Sequence, residues 1–181
     1  MFGSVHRRVH RATALAPDAP EGELRRVTGA IHTFDGFLRA PRSGRVCVAF
    51  SIHITEPARP QGAYASGSAR ITSVETRKFA VEFDGGFVFV DSQFAELDLP
   101  YERFDDPSAD NEAWASFCDQ RRVSPISTGS EAIVRPGDVV SIAGIVERRV
   151  AAPDLTGYRD GDSQLWLVGD FDRPLLVTRP T

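Results

Sequence analysis

The chain has 181 residues, 41% of them hydrophobic and 25% charged, with a formal net charge of -4 at pH 7. That length fits one domain able to bury about 70% of its unfolded surface without metal or disulfide staples. The composition excludes a wholly disordered chain, no apolar run approaches the about 20 residues of a bilayer-spanning helix, and the acidic balance argues against general nucleic-acid binding.

Charge is unevenly spread. Residues 82–119 set Arg103 alone against 11 acidic residues, whereas residues 1–81 hold 12 basic and 6 acidic ones. Such a run reads as a solvated face, and it can also steer a basic partner. Lys78 is the one lysine among 21 basic residues. A chain-wide arginine bias carries no functional reading.

The N-terminus, through His6, His10 and Arg11, is basic but has no apolar stretch behind it, unlike a secretory signal. Small residues with Pro17 and Pro20 follow. Residues 1–22 are expected to form a flexible basic arm, and residues 23–181 a single domain. His6 and His10 have the spacing of two metal ligands on a helix, but no carboxylate lies beside them.

A strand is expected over 25–34, with Val27 and Ile31 on one face and a turn at Asp35-Gly36. The clearest strand covers 45–55. There Val46, Val48, Phe50, Ile52 and Ile54 alternate with a smaller, weakly polar face of Cys47, Ala49, Ser51, His53 and Thr55. Residues 57–69 read as a loop. Phe79, Val81 and Phe83 alternate next, and Asp84-Gly85-Gly86 is a hairpin signal leading into Phe87 to Val90. Ala95, Leu97 and Leu99 extend the meander.

One helix is expected. Asp106 is placed as its N-cap and Pro107 at its first position, with Asp110 and Glu112 at the positive end of the dipole. Trp114, Phe117, Cys118 and Arg121 form a stripe at helical spacing, in which Trp114 and Phe117 read as core. Beyond it, Arg135-Pro136-Gly137-Asp138 turns into a long strand over 139–150, where Gly144 marks a bulge or a close backbone approach. Two short strands, around Trp166 and Leu175 to Thr178, close the chain. Seven to nine strands with short turns and one helix point to a mainly β fold, a small antiparallel β-barrel elaborated on an OB-like plan.

No catalytic, cofactor or metal constellation emerges. Cys47 and Cys118 lack paired metal-ligand spacing and read as free buried thiols suited to a reducing compartment, although spacing alone leaves a bridge between them open. His32 and His53 stand alone in their strands as hydrogen-bonded structural histidines. Asp105, Asp106, Asp110 and Glu112 lack the alternating spacing and sharp glycine turn of a calcium loop. Ser127-Thr128-Gly129-Ser130 is neither a nucleophile elbow nor a P-loop.

The order of these segments resembles the GIDE, or beside-a-membrane, domain of mitochondrial membrane ubiquitin ligases and many bacterial proteins. The resemblance rests on Val27-Thr28-Gly29-Ala30-Ile31, on the run from Leu38 through Pro41, Ser43, Gly44 and Cys47 to Phe50, and on the hairpin from Val81 to Val90. It also rests on Glu131 to Gly144, with Pro136-Gly137-Asp138, and on the closing Leu175-Leu176-Val177-Thr178. Together these cover about residues 24–179. Relatives of this kind carry flanking transmembrane helices, and the ligases add a zinc-binding RING. Two cysteines cannot build a RING, so ligase activity does not carry over. The resemblance implies a non-catalytic module that binds a partner protein beside a membrane, expected in the cytoplasm or at the inner membrane face. Two other readings stand beside it. One is an OB-like nucleic-acid binder using the arm from His6 to Arg11. The other is a hydrolase with an unrecognised site, which would place aromatics around His53 or use Cys47.

Overall fold

The computed structural model describes residues 3–56, 70–84, 86–104, 111–150 and 163–180. Helix α1 (Gly3–Arg11) and strand β1 (Thr13–Ala14) lead into β2 (Leu24–Thr33), β3 (Leu38–Arg39), β4 (Val46–Cys47), β5 (Ala49–Thr55) and β6 (Arg70–Thr76). Then come β7 (Phe79–Phe83), β8 (Gly86–Asp91), β9 (Ala95–Asp98), β10 (Glu102–Phe104) and helix α2 (Glu112–Arg121). The chain ends with β11 (Thr128–Val134), β12 (Val139–Val150), β13 (Ser163–Val168) and β14 (Leu175–Thr178).

Five strands close a barrel in the order β2-β7-β8-β13-β12, shut by pairing of β12 back to β2. Alternation along each strand fills it. Val27 and Ile31 of β2, Phe79 and Val81 of β7, Val88 and Val90 of β8, Ile142 and Val146 of β12 and Leu167 of β13 share one buried cluster. Gly29 is required where β2 crosses β7, because a Cβ there would lie 1.9 Å from the carbonyl oxygen of Glu82. Gly144 is a close approach, as the sequence indicates. A Cβ would meet the Val168 oxygen at 3.0 Å, at the point where one edge of β12 passes from β14 to β13.

The sheet is not purely antiparallel, contrary to expectation. β1 with β2, β8 with β13 and β9 with β14 pair in parallel. The reason is connectivity: β9 to β11 are inserted between β8 and β12, so β13 returns beside β8 running the same way.

A second sheet, β10-β11-β5-β6, stands against the barrel. The expected alternation over 45–55 breaks at Val48, which joins the barrel core together with Ala49. Cys47, Phe50, Ile52 and Ile54 instead pack under α2 against Trp114, Phe117 and Cys118. Helix α2 is capped by Asn111, whose Oδ1 accepts the Ala113 N–H at 2.9 Å. The cap is therefore not Asp106, which lies outside the described residues together with Asp105, Pro107 and Asp110. Trp114, Phe117 and Cys118 are core as expected, but Arg121 is exposed and pairs with Glu75 at 3.0 Å.

The segment expected as a loose arm is ordered against the barrel. Val5, Val9 and Ala12 recur at helical spacing and meet Ala143 of β12 and Leu176 of β14, with Val9 fully buried. Asp98 accepts the His6 N–H at 3.2 Å in the first turn of α1, where free N–H groups favour a carboxylate. Leu15 and Ala19 then join the barrel core, and the Leu15 N–H bonds the Arg26 oxygen at 2.7 Å. The described residues thus hold two helices where one was expected.

Candidate functional site

Register places four side chains of the second sheet on one face: Ser51 opposite Val74 and His53 opposite Thr72. This is the small, weakly polar face of the sequence pattern, and it turns away from α2. Tyr101 lays its ring 4.5 Å from the His53 ring, and its hydroxyl is hydrogen-bonded to Ser51 Oγ at 2.8 Å. Between this face, strand β9 and Val5 of α1 lies an open, apolar hollow of about 340 Å³. A second hollow of about 220 Å³ shares Val74, Ala95 and Glu96 with it and adds Phe94 and Phe171. Phe171 is 88% exposed. It sits in a turn held by Asp170, whose Oδ1 accepts the N–H groups of Asp172 at 3.0 Å and Arg173 at 2.6 Å.

The polar groups of the hollow are mutually occupied. His53 Nδ1 and Thr72 Oγ1 are 2.9 Å apart, and burial holds the imidazole below its ordinary pKa, so it is neutral near pH 7. Burial pushes the Tyr101 phenol up, against the opposing effect of the Ser51 bond. An aromatic does lie beside His53, as the hydrolase reading required. Two hydroxyls lie near it: Ser51, 2% exposed, bonds Tyr101, whereas the exposed Thr72 stands at hydrogen-bond distance from His53 Nδ1, with no carboxylate bonded to that imidazole among the described residues to complete a triad.

Cys47 lies on the far side of the second sheet, fully buried. Burial, reinforced by the charge of Glu131, pushes its thiol up to about 12, and Sγ lies 3.8 Å from the Leu38 oxygen. Burial also raises Cys118. Both thiols are unbridged. His32 Nε2 meets Glu82 at 2.9 Å on the surface. The His6 and His10 rings do come together, with centroids 4.3 Å apart on α1. The Arg26 guanidinium stands 3.2 Å from His10 Nδ1, a cation where a metal pair would need an electron donor. Among the described residues no three His, Cys, Asp or Glu side chains are grouped to hold a metal.

Sequence reasoning missed Glu131. Its carboxylate, 3% exposed, takes the backbone N–H groups of Arg42 at 2.8 Å and Ser43 at 3.1 Å. Asn111 Nδ2 bonds the Pro41 and Arg42 oxygens from the opposite side, at 3.1 and 2.9 Å. The Pro-Ser-Gly-Cys run is thus a pinned turn, with Gly44 at φ 66°. The available signal was a lone acid heading the apolar stretch Ala132-Ile133-Val134.

A second aromatic cluster covers the outer barrel wall. Trp166 stacks on Phe89 at 5.2 Å, meets Phe34 edge-on at 6.2 Å, and carries the Arg149 guanidinium 4.5 Å from its ring. Arg149 and Lys78 both pair with Asp91. Burial raises the Asp91 pKa, but those two cations outweigh it and keep the carboxyl below its usual range. Trp166 is 7% exposed and already packed, so it reads as wall, not platform.

No helix among the described residues is long and apolar enough to cross a membrane. Comparison with family models, curated proteins and solved structures finds no match.

Proposed function

We propose that this protein is a non-catalytic barrel module that binds a partner polypeptide, and that the hollow beside His53 and β9 is where the partner docks. The observation that carries this reading is the apolar hollow itself. It opens along a strand that pairs on one side only among the described residues, and the His53–Thr72 pair in it has no carboxylate bonded behind the imidazole to complete a triad. Apolar surface left open beside a sheet edge is the chemistry of polypeptide docking rather than of small-molecule turnover. The order of segments, which resembles that of the beside-a-membrane domain, supports the same reading, with action beside a membrane as its further implication.

A nucleic-acid reading draws on the ring β2-β7-β8-β13-β12. Numbered within the barrel, its strands run first, second, third, fifth, fourth, consistent with an OB-like plan. The outer wall opposes this use, because Lys78 and Arg149 spend their charge on Asp91.

The test is site-specific photocrosslinking in the native cell. A benzophenone side chain at position 74, in the hollow, is compared with one at position 120, on the exposed side of α2. Capture of a discrete polypeptide from position 74 and not from position 120 is expected. Equal capture from both positions, or capture of nucleic acid alone, overturns the proposal.

A further inference from the structure

We infer that the free edge of β9 takes a basic, extended segment of the partner by strand addition. This rests on the proposed docking hollow and names the chemistry of what fills it. Strand β9 pairs with β14 on one side, and on the other no backbone hydrogen bond reaches it from the described residues. Over about 13 Å, alternate residues of β9 turn their N–H and C=O groups to this edge, a short template for another strand. A strand laid there, about 4.8 Å from β9, enters the cleft where β6 and α1 approach β9 without backbone pairing, and faces His53, Thr72 and Val74. Its alternate side chains meet that apolar floor, and Phe94 and Phe171 stand at the far end as anchors.

Charge selects the partner. The charged side chains lining the two hollows are Glu96, Asp98 and Asp170, all carboxylates. Arg8 reaches Glu96 at 3.5 Å and Arg173 reaches Asp170 at 3.2 Å, both as solvent-exposed pairs. Exposed pairs of this kind are weak and exchange readily for an incoming cation. Ala95 to Asp98 and Tyr101, which form one wall, belong to the most acidic stretch of the chain, so lysine or arginine alternating with apolar residues is the complementary pattern.

The experiment selects displayed random twelve-residue peptides on the full chain, with Val74→Arg as counter-target. The best ligand is then remade with N-methyl groups on alternate amides. Enrichment of alternating basic and apolar residues is expected, with at least tenfold weaker binding to Val74→Arg. N-methylation, which leaves charge intact, is expected to weaken binding at least tenfold as well. Ligands that are lost on Val74→Arg but lack basic residues, or that tolerate N-methylation, overturn this inference while leaving the docking hollow standing. An empty selection, or ligands indifferent to Val74→Arg, overturns both. Self-association abolished by Val74→Arg assigns the edge to a second copy of the chain and overturns the basic-segment inference.

Discussion

Glu131, on β11, accepts the backbone N–H of Arg42 at 2.8 Å across 89 residues of sequence. With Ser43 as its second donor, the carboxylate ties the turn ahead of Cys47 to the second sheet. Replacing it leaves the two backbone donors of a half-buried turn without their charged acceptor. Glu131→Ala is expected to destabilise the fold by about 3 kcal/mol, the loss of two hydrogen bonds to a charged acceptor. Glu131→Gln recovers only part, since one amide oxygen replaces two carboxylate oxygens and the amide N–H₂ faces a donor. Urea denaturation midpoints check both, and an unchanged midpoint for Glu131→Ala removes the clamp from the account of the fold.

Docking of α1 is expected to weaken as pH falls. His10 Nδ1 faces the Arg26 guanidinium and so must accept from it, which only a neutral imidazole can do. Burial lowers the His10 pKa, helped by His6 and Arg26. The sign follows: docking is fully supported above the ordinary value of 6.5 and is lost as pH falls through the lowered, docked value. The charged groups elsewhere around α1, Glu96 and Asp98, lie at Arg8 and at the His6 N–H. Amide exchange, corrected for the intrinsic rate at each pH, should show residues 3–11 losing protection as pH falls below 6.5 while β2 keeps it. Uniform protection across that range would falsify this role for His10, and His10→Gln, which retains an acceptor, should flatten the profile.

Two glycines should separate packing from backbone preference. A Cβ at Gly29 would sit 1.9 Å from a carbonyl oxygen of β7, so Gly29→Ala is expected to cost more than about 3 kcal/mol. Gly36 has φ 78° and open space around it, so Gly36→Ala should cost only about 1 kcal/mol, the penalty of the left-handed region. Thermal melts of the two variants give the comparison, and equal losses would remove the close approach of β2 to β7 as the cause.

The thiols should be inert in the native state. With Cys47 near 12 and buried, its thiolate fraction at pH 8 is about one in ten thousand. Cys118 is also buried and raised. A chromogenic disulfide reagent at pH 8 is expected to report no fast-reacting thiol on the folded chain and two in denaturant. A fast native thiol would reopen a chemical role for Cys47.

Strand positions with clean alternation were legible from residues alone. Val27 with Ile31, Phe79 with Val81, and Val140, Ile142 and Val146 of β12 share the barrel core as read, because side-chain alternation is a local property of the extended chain, but β12 is buried on both faces from Val140 to Val146 and Val150 is exposed. So was the burial of Trp114 and Phe117, which follows from helical spacing. Val48 was not, since an irregularity that shifts one residue between two cores leaves no mark on composition. Asn111 displaced Asp106 as the cap because either residue type can accept the N–H, and the Arg42 carbonyl holds Asn111 in place.

The arm was misread for a related reason. Val5, Val9 and Ala12 are too few to form a stable helix in isolation, and their burial exists only because Ala143 and Leu176 offer a matching surface. The sequence by itself determined a β-rich chain, its main strands, its buried thiols and its acidic middle, all properties set by neighbours along the chain. Tertiary structure alone decided the parallel return of β13, the burial of Glu131 and the hollow joining Val5, His53, Val74 and Leu97. Each of these brings together residues tens of positions apart, and contacts at that range depend on barrel closure rather than on any local pattern.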